Sequence, residues 1–172
     1  MPEPLRLSTY VYWKPRTGKD GITDKATGSY VHIGTLGKGG VVYQPKSTIV
    51  EHFGPAPGAV DRRIWAEVSQ FVQDFEIKVQ NVSPLAWALT FGASMPSAGS
   101  SVDMVPGSKP AQYGWLRLQG YDVDNALRIT TETYGIATVD SVPIATSDFT
   151  EFNIKFMEIY TALAIGNVKN LI

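Results

Sequence analysis

The sequence predicts a mainly-β fold: a two-sheet β-sandwich or barrel, one flanking α-helix at about residues 83–91, and long loops. Short runs rich in β-branched and aromatic residues recur between turns that contain Gly or Pro. Several runs alternate apolar and polar residues, which is the period of a strand with one buried face. With 172 residues and 44% hydrophobic content, the chain can bury one core, so we expect a single domain over residues 1–172.

The composition excludes several classes of protein. The 15 basic and 16 acidic residues leave a net charge of −1, so no overall field draws the chain to nucleic acid or an anionic membrane. The absence of cysteine excludes disulfides, thiol nucleophiles and sulfur-ligated metals. No window resembles a signal peptide or a membrane-spanning helix, so we expect a soluble cytoplasmic product with no membrane partner.

The N-terminal segment predicts a strand followed by a long exposed loop. Residues 5–14 alternate, with Val11 and Trp13 on one face. Residues 14–29 are rich in glycine and charge and predict a loop suited to protein contacts or to solubility. The candidate interface residues in this loop are Lys14, Arg16, Lys19 and Asp20.

Three short β-type runs follow, at residues 30–34, 40–44 and 47–53. The glycines of GTLGKGG (34–40) lack a following G-K-[ST] and a helix, so they predict a connection between strands and not a phosphate loop.

Residues 62–80 predict the longest strand. Phe71, Phe75, Ile77 and Val79 form its apolar face, but upstream of Ser69 the apolar parity reverses. A β-bulge near residues 69–70, in a strand that turns a corner between two sheets, accounts for this reversal. The opposite face carries the candidate channel-facing residues, which are Asp74, Glu76 and Lys78.

NVSPLAWALTFGA (81–93) predicts the only helix. Ser83 suits the N-cap, Pro84 the first helical position and Gly92 the C-terminal stop. The helix is apolar on nearly all sides and has no ionisable residue, so we expect it to close the β-structure and to offer Trp87 and Phe91 to an interface.

The C-terminal half predicts further strands around one more long loop. Residues 92–112 have the composition of a loop, residues 113–121 and 126–139 of strands, and residues 122–125 of a turn. Residues 148–162 alternate around Phe152, Ile154 and Phe156 and predict the final strand.

No pattern indicates catalysis, a metal or a cofactor. His32 and His52 lack metal-ligand spacing and a serine-hydrolase setting. Asp122, Asp124 and Asn125 lack the glycine and glutamate of a calcium loop and predict a turn. We therefore expect a protein that is not an enzyme.

The arrangement of the chain resembles the major tail tube proteins of long-tailed bacteriophages and the related type VI secretion tube proteins. FVQDFEIKV (71–79), the lone helix, RITTETYGI (128–136) and FTEFNIKFMEIYTA (149–162) carry this resemblance. It implies a structural virion protein whose homo-hexameric rings stack into a tube, which conducts the genome without binding DNA specifically. It also implies tape-measure and tail-tip proteins as partners, assembly in the bacterial cytoplasm, and a final location in the virion tail.

The alternatives are another tail component, such as a distal tail or tube terminator protein, or a carbohydrate-binding β-sandwich. The last of these would use Trp13, Trp65 or Trp115 as a stacking platform. The sequence does not distinguish a contractile from a non-contractile tail.

Overall fold

The computed structural model describes residues 8–16, 22–25, 29–56, 60–80, 84–91, 97, 99–100, 111–141 and 151–168. The described residues form eight β-strands and one α-helix, so the predicted mainly-β class with a single helix is confirmed. In chain order the elements are β1 (Ser8–Arg16), β2 (Val31–His32), β3 (Leu36–Ala56), β4 (Val60–Val79), α1 (Pro84–Phe91), β5 (Ala111–Tyr121), β6 (Leu127–Ser141), β7 (Phe152–Glu158) and β8 (Ile165–Val168).

The strands form one antiparallel sheet, and not two separate sheets. Its order is β2-β1-β5-β6-β7-β4-β3, and β8 pairs with the part of β6 that β7 leaves uncovered. Ile33 N donates to Val11 O in β1 (2.9 Å), and Gln80 N, just after β4, donates to Thr35 O (2.9 Å). Residues 33–35 therefore join the two ends of the sheet, which curls around its core.

The core lies on the inner face of this curled sheet. Val11 and Trp13 of β1 are buried, as their alternation predicts, and so are Phe152, Ile154 and Phe156 of β7. The rings of Trp13 and Phe156 meet edge to face at 6.0 Å. Such aromatic contacts add to the stabilisation that burial of the rings supplies.

The helix closes part of this core. α1 begins at Pro84, the predicted first helical residue, and Leu85, Ala86 and Leu89 are buried in the core cluster. Trp87 is only half-buried. Ser83 and Gly92, the predicted caps, lie outside the described residues.

Several predicted boundaries are wrong. One continuous strand, β3, contains residues 40–44 and 47–53. It continues through Pro45 because it pairs with β4, which is of similar length, and because proline is tolerated at the edge of a sheet. Residues 14–16 extend β1 and residues 111–112 begin β5, so both predicted loops are shorter. β7 is not the last strand, because β8 follows it.

The turn between β5 and β6 matches its prediction. The Asp122 carboxylate accepts hydrogen bonds from Asp124 N and Ala126 N (both 2.9 Å) and from Arg128 Nε (2.6 Å), and Asn125 adopts a φ of 59°. The bond from the Ala126 N–H, followed by the one from Arg128, lowers the pKa of Asp122. The Asp122 carboxylate therefore has a structural role within the turn.

Candidate functional site

The most unusual feature of the described structure is a two-stranded arm. Beyond Asp74, which pairs with Met157, β4 has no partner in β7, whereas β3 and β4 stay paired to Ala56 and Val60. We call residues 45–56 of β3 and 60–73 of β4 the arm, and the remaining described residues the body. At about 3.3 Å per residue, twelve residues carry the arm roughly 40 Å from the body.

Both edges of the arm are free of strand partners in the described part of the chain. β3 is the last strand of the sheet order, and β4 pairs with β7 only from Asp74 to Val79. Each edge therefore presents a row of main-chain N–H and C=O groups to which another strand can be added.

The sequence forms this arm by a long hairpin with two irregularities in β4. Thr48 pairs with Gln70 and Ile49 with Val68, so Ser69 is an extra residue in β4. This confirms the β-bulge predicted near residues 69–70. Ile64 is a second extra residue, between Trp65 and Arg63. The bulges bend the arm, whereas the predicted corner between two sheets is wrong, because no second sheet receives this strand in the described structure.

The arm exposes large apolar side chains on both faces. One face, which continues the core face of β4, carries four of them, and the opposite face with the Ile64 bulge carries four more. Their exposed fractions lie between 39% and 64%, and they are Ile49, Phe53, Val68 and Phe71 on the first face and Val50, Ile64, Trp65 and Val72 on the second. Phe71, predicted to be core, is thus 56% exposed, because β7 ends before reaching it.

The exposed apolar area of the arm can be compared with that of monomer surfaces and of protein interfaces. Eight such residues, each about half exposed, present on the order of 800 Å² in total. The largest apolar patch of a typical monomer is about 300–600 Å². Each partner in a stable protein interface buries about 800 Å². Each face of the arm offers about half of this total, within the range of a monomer patch, and the two faces together offer the area of one side of a specific interface.

Surface pairs order the outer half of the arm. The rings of His52 and Trp65 stack at 4.2 Å with an interplanar angle of 3°, and His52 Nε2 lies 3.6 Å from Glu67 Oε1. Arg63 forms an ion pair with Glu51 across the two strands. Exposed pairs of this kind contribute little stability, so they set local geometry more than they hold the arm together.

The predicted channel-facing residues lie at the base of the arm. Asp74, Glu76 and Lys78 alternate onto one face of β4, opposite the core residues Phe75 and Ile77. That this face lines a channel stays a prediction.

Two of these residues, Asp74 and Glu76, accept hydrogen bonds from neighbouring side chains. Asp74 is buried, and its Oδ2 accepts from Lys46 Nζ at 2.7 Å. Glu76 accepts from Gln44 Nε2 (3.0 Å) and Asn153 Nδ2 (2.9 Å). The face is therefore mixed in charge.

A carboxylate caps the edge of β4 where the arm leaves the body. Glu158 Oε2 accepts a hydrogen bond from Gln73 N at 3.1 Å, just past the last residue of β4 that pairs with β7. Burial raises the pKa of Glu158, the Asp74 charge adds to this effect, and the bond from Gln73 N opposes it. Sequence reasoning did not single out Glu158.

The predicted loop interface is only partly described, and one of its residues is misplaced. Lys14 is a buried residue of β1, with its Nζ 5.5 Å from the Tyr30 ring centroid, so it is not an exposed loop residue. Arg16 ends β1 and forms an ion pair with Asp24 at 3.2 Å. Lys19, Asp20 and the Phe91 side chain lie outside the described part of the structure.

The described part of this loop lies against the outer face of the body. Glu132 accepts from Arg117 Nε (2.6 Å) and forms an ion pair with Lys25, whose Nζ lies 5.2 Å from the Trp115 ring. Burial alone would raise the pKa of Glu132, but hydrogen bonds and charge from Lys25 and Arg117 outweigh it and hold that pKa below its ordinary value. Burial, followed by the Glu132 charge, raises the pKa of Tyr30. The contacts are intramolecular and hold the loop on the sheet.

The tryptophans do not form the sugar platform that was considered. Trp13 and Trp115 are buried, at 4% and 0% exposure, because each fills a side of the β1-β5-β6 sheet. Trp65 is exposed but has one ring face covered by His52.

The apolar residues of the arm are the main functional feature that the sequence reasoning missed. The available signal was a pair of long β-type stretches, 40–56 and 60–79, separated only by a sequence that contains the Pro57-Gly58 dipeptide, which is typical of turns. Read as a single hairpin, these stretches are too long for the body to cover.

Within the described residues, no group of three or more His, Cys, Asp or Glu side chains is placed to hold a metal ion. In the described part of the chain, no helix is long and apolar enough to cross a membrane. Comparison with protein-family models gives no match, and comparison with curated proteins finds no significantly similar sequence.

Proposed function

We propose that this chain is a self-assembling structural protein, and that its assembly is the tail tube of a long-tailed bacteriophage. The observation that carries the proposal is the arm, with two free strand edges and eight exposed large apolar residues. The arm supports self-assembly; the tail tube itself rests on the resemblance in the arrangement of the chain.

The arm needs a partner for a physical reason. An isolated two-stranded hairpin is at most marginally stable in water, and its apolar faces favour association. A second copy of the chain satisfies both requirements, because its arm offers the same free edges. If β3 of one arm pairs with β4 of the next, the contact is head to tail, and such contacts close into rings or continue as filaments.

The proposed assembly is a homo-hexameric ring that stacks into a tube in the virion tail, after assembly in the bacterial cytoplasm. Tape-measure and tail-tip proteins are the proposed partners, and DNA passes through without specific binding. The role is structural, with no enzymatic activity and no cofactor. Asp74, Glu76 and Lys78 are the proposed channel-facing residues, and Trp87 and Phe91 the proposed contacts near α1.

Electron microscopy of the concentrated, purified chain tests the proposal. We expect rings or striated tubes of uniform width, and sedimentation that depends on protein concentration. Isolated rings that never stack would indicate a distal tail or tube terminator protein instead.

A deletion separates the arm from the body. Replacing residues 48–70 by an Asn-Gly turn removes most of the arm, joins the native partners Ser47 and Phe71, and leaves the β4–β7 pairs intact. We expect a folded monomer with nearly unchanged thermal stability that forms neither rings nor tubes. A wild-type chain that stays monomeric at high concentration would contradict the proposal, and so would normal assembly of the deletion variant.

The channel assignment has its own test. Charge reversal at Lys78 changes the proposed lining without breaking the Lys46–Asp74 ion pair. We expect tubes of normal dimensions with altered passage of DNA. Unaltered passage, together with normal tubes, would remove Lys78 from the lining.

A further inference from the structure

We infer that Glu158 couples self-assembly to proton uptake, so that covering the arm with a second copy is favoured as the pH falls. The inference rests on the proposed function, since it concerns how assembly through the arm is regulated. It is carried by the position of one carboxylate at the junction of body and arm.

Glu158 lies at the boundary between buried and exposed apolar surface. By the alternation of β7 it shares the inner face of the sheet with Ile154 and Phe156. On the next strand, Phe71 and Phe75 share that face, but Phe75 is 5% exposed and Phe71 is 56% exposed. The carboxylate is therefore next to the point at which the core face becomes the exposed face of the arm.

The contacts of Glu158 fix it at this point. Oε2 accepts from Gln73 N at 3.1 Å and takes the place of the main-chain acceptor that β7 would supply if it continued. The main chain instead turns toward β6, where Ile159 N donates to Tyr134 O at 2.8 Å. Displacing Glu158 would leave the Gln73 N–H without this acceptor. The cost of losing this hydrogen bond keeps the carboxylate in place when a partner covers it.

The surrounding charges do not stabilise the ionised form. The charge that acts on the pKa of Glu158 is that of Asp74 of β4, which is negative and is itself paired with Lys46 of β3. On the β6 side the residue opposite is Gly135, which has no titratable group. Burial and Asp74 together already raise the pKa of Glu158 in the free chain.

Docking of an apolar partner on the arm strengthens the same effect. The apolar surface of a second arm removes water from the carboxylate, so the neutral form is favoured further. The assembled state then binds more protons than the free chain. By linkage, the assembly constant falls as the pH rises from the pKa of Glu158 in the free chain, which lies above its ordinary value, to the higher pKa in the assembled chain.

The experiment compares wild type with Glu158→Gln. The glutamine side chain is permanently neutral, and its amide oxygen can still accept from Gln73 N. Sedimentation velocity at about pH 5 and about pH 7 gives the concentration for half-maximal assembly. For wild type we expect this concentration to rise about tenfold at the higher pH if docking shifts the pKa by about one unit. For E158Q we expect less than about a twofold change and assembly at pH 7 as strong as wild type at pH 5.

Asp124→Asn is the matched control, because it removes one carboxylate from an exposed turn outside the arm. It should keep the pH dependence of wild type. Equal pH dependence in wild type and E158Q overturns the inference while leaving the proposed function intact. Absence of assembly at every pH and concentration overturns the proposed function and the inference with it.

Calorimetry provides a measurement that does not depend on the folding of E158Q. The heat of assembly of wild type in buffers of different ionisation enthalpy gives the number of protons taken up, which we expect to peak at about half a proton per chain for a pKa shift of about one unit. His52 is the histidine of the arm, so His52→Gln is measured in parallel as a control. Uptake that is zero, or that disappears in H52Q, overturns the inference.

Discussion

The body and the arm share the strands β3 and β4, but apolar side chains of β4 are buried in the body and exposed in the arm. In the body, Phe75 and Ile77 are at most 5% exposed, because β7 flanks β4 and the curled sheet covers their face. In the arm, Phe71 and Val68 are more than half exposed on the continuation of the same strand. Residues of β type are therefore core only where other elements of the chain cover them.

Charged groups also differ in exposure between the body and the arm. Around Glu132 the body holds charged and aromatic groups in contacts that are largely withdrawn from water. On the arm, Glu51 forms an ion pair with Arg63, and Glu67 lies beside His52, all on exposed surface. Mutations that are severe in the body should therefore be mild in the arm when stability is measured, and the reverse should hold when assembly is measured.

The largest expected effect on stability is that of Phe156→Ala. Phe156 is fully buried and contacts the rings of Trp13 and Phe75. We expect the free energy of unfolding to fall by about 3–5 kcal/mol in urea denaturation of dilute protein. The control is Phe53→Ala at the exposed arm, which should change it by less than about 0.5 kcal/mol. Similar losses from both variants would break the distinction between body and arm.

The next largest effect is that of Glu132→Ala. Removing this carboxylate leaves Lys25 and Arg117 partly buried without their acceptor, so we expect a loss of about 2–4 kcal/mol. Glu67→Ala is the matched change on the arm and should cost less than about 0.5 kcal/mol in the same denaturation experiment. A harmless E132A would mean that the cluster does not hold residues 22–25 to the sheet.

Trp87→Ala is expected to have an intermediate effect. Trp87 is half-buried, whereas Leu89 on the same helix is 1% exposed. We expect about 1–2 kcal/mol for W87A and about 2–5 kcal/mol for Leu89→Ala. If W87A abolishes assembly without this loss of stability, Trp87 is an interface residue; if it costs more than L89A, it belongs to the core.

The smallest effect expected is that of Lys46→Met at the junction of the two regions. Lys46 is half exposed but its partner Asp74 is buried, so loss of the ion pair should cost about 1 kcal/mol. Arg63→Met removes an exposed ion pair farther out on the arm and should cost less than about 0.5 kcal/mol. Equal costs would show that the junction is no more constrained than the outer arm.

The sequence by itself determined the mainly-β class, the position of the single helix and the bulge near residues 69–70. Each of these is a local property. Pro84 and the apolar run after it specify a helix start, alternation specifies strands, and the reversal of apolar parity around Ser69 requires an extra residue in the ladder. The turn at Asp122 belongs to the same class, because all three donors to its carboxylate lie within six residues.

Only the tertiary structure decided which apolar residues are buried and which are left for a partner. Phe71 and Phe75 are the same residue type on the same face of one strand, so no local pattern distinguishes them. Where β7 ends, and how residues 33–35 close the sheet, decide that Phe75 is core and Phe71 is surface. The same non-local pairing placed Lys14 inside the body and Glu158 at the base of the arm, because burial depends on residues that are distant in the chain.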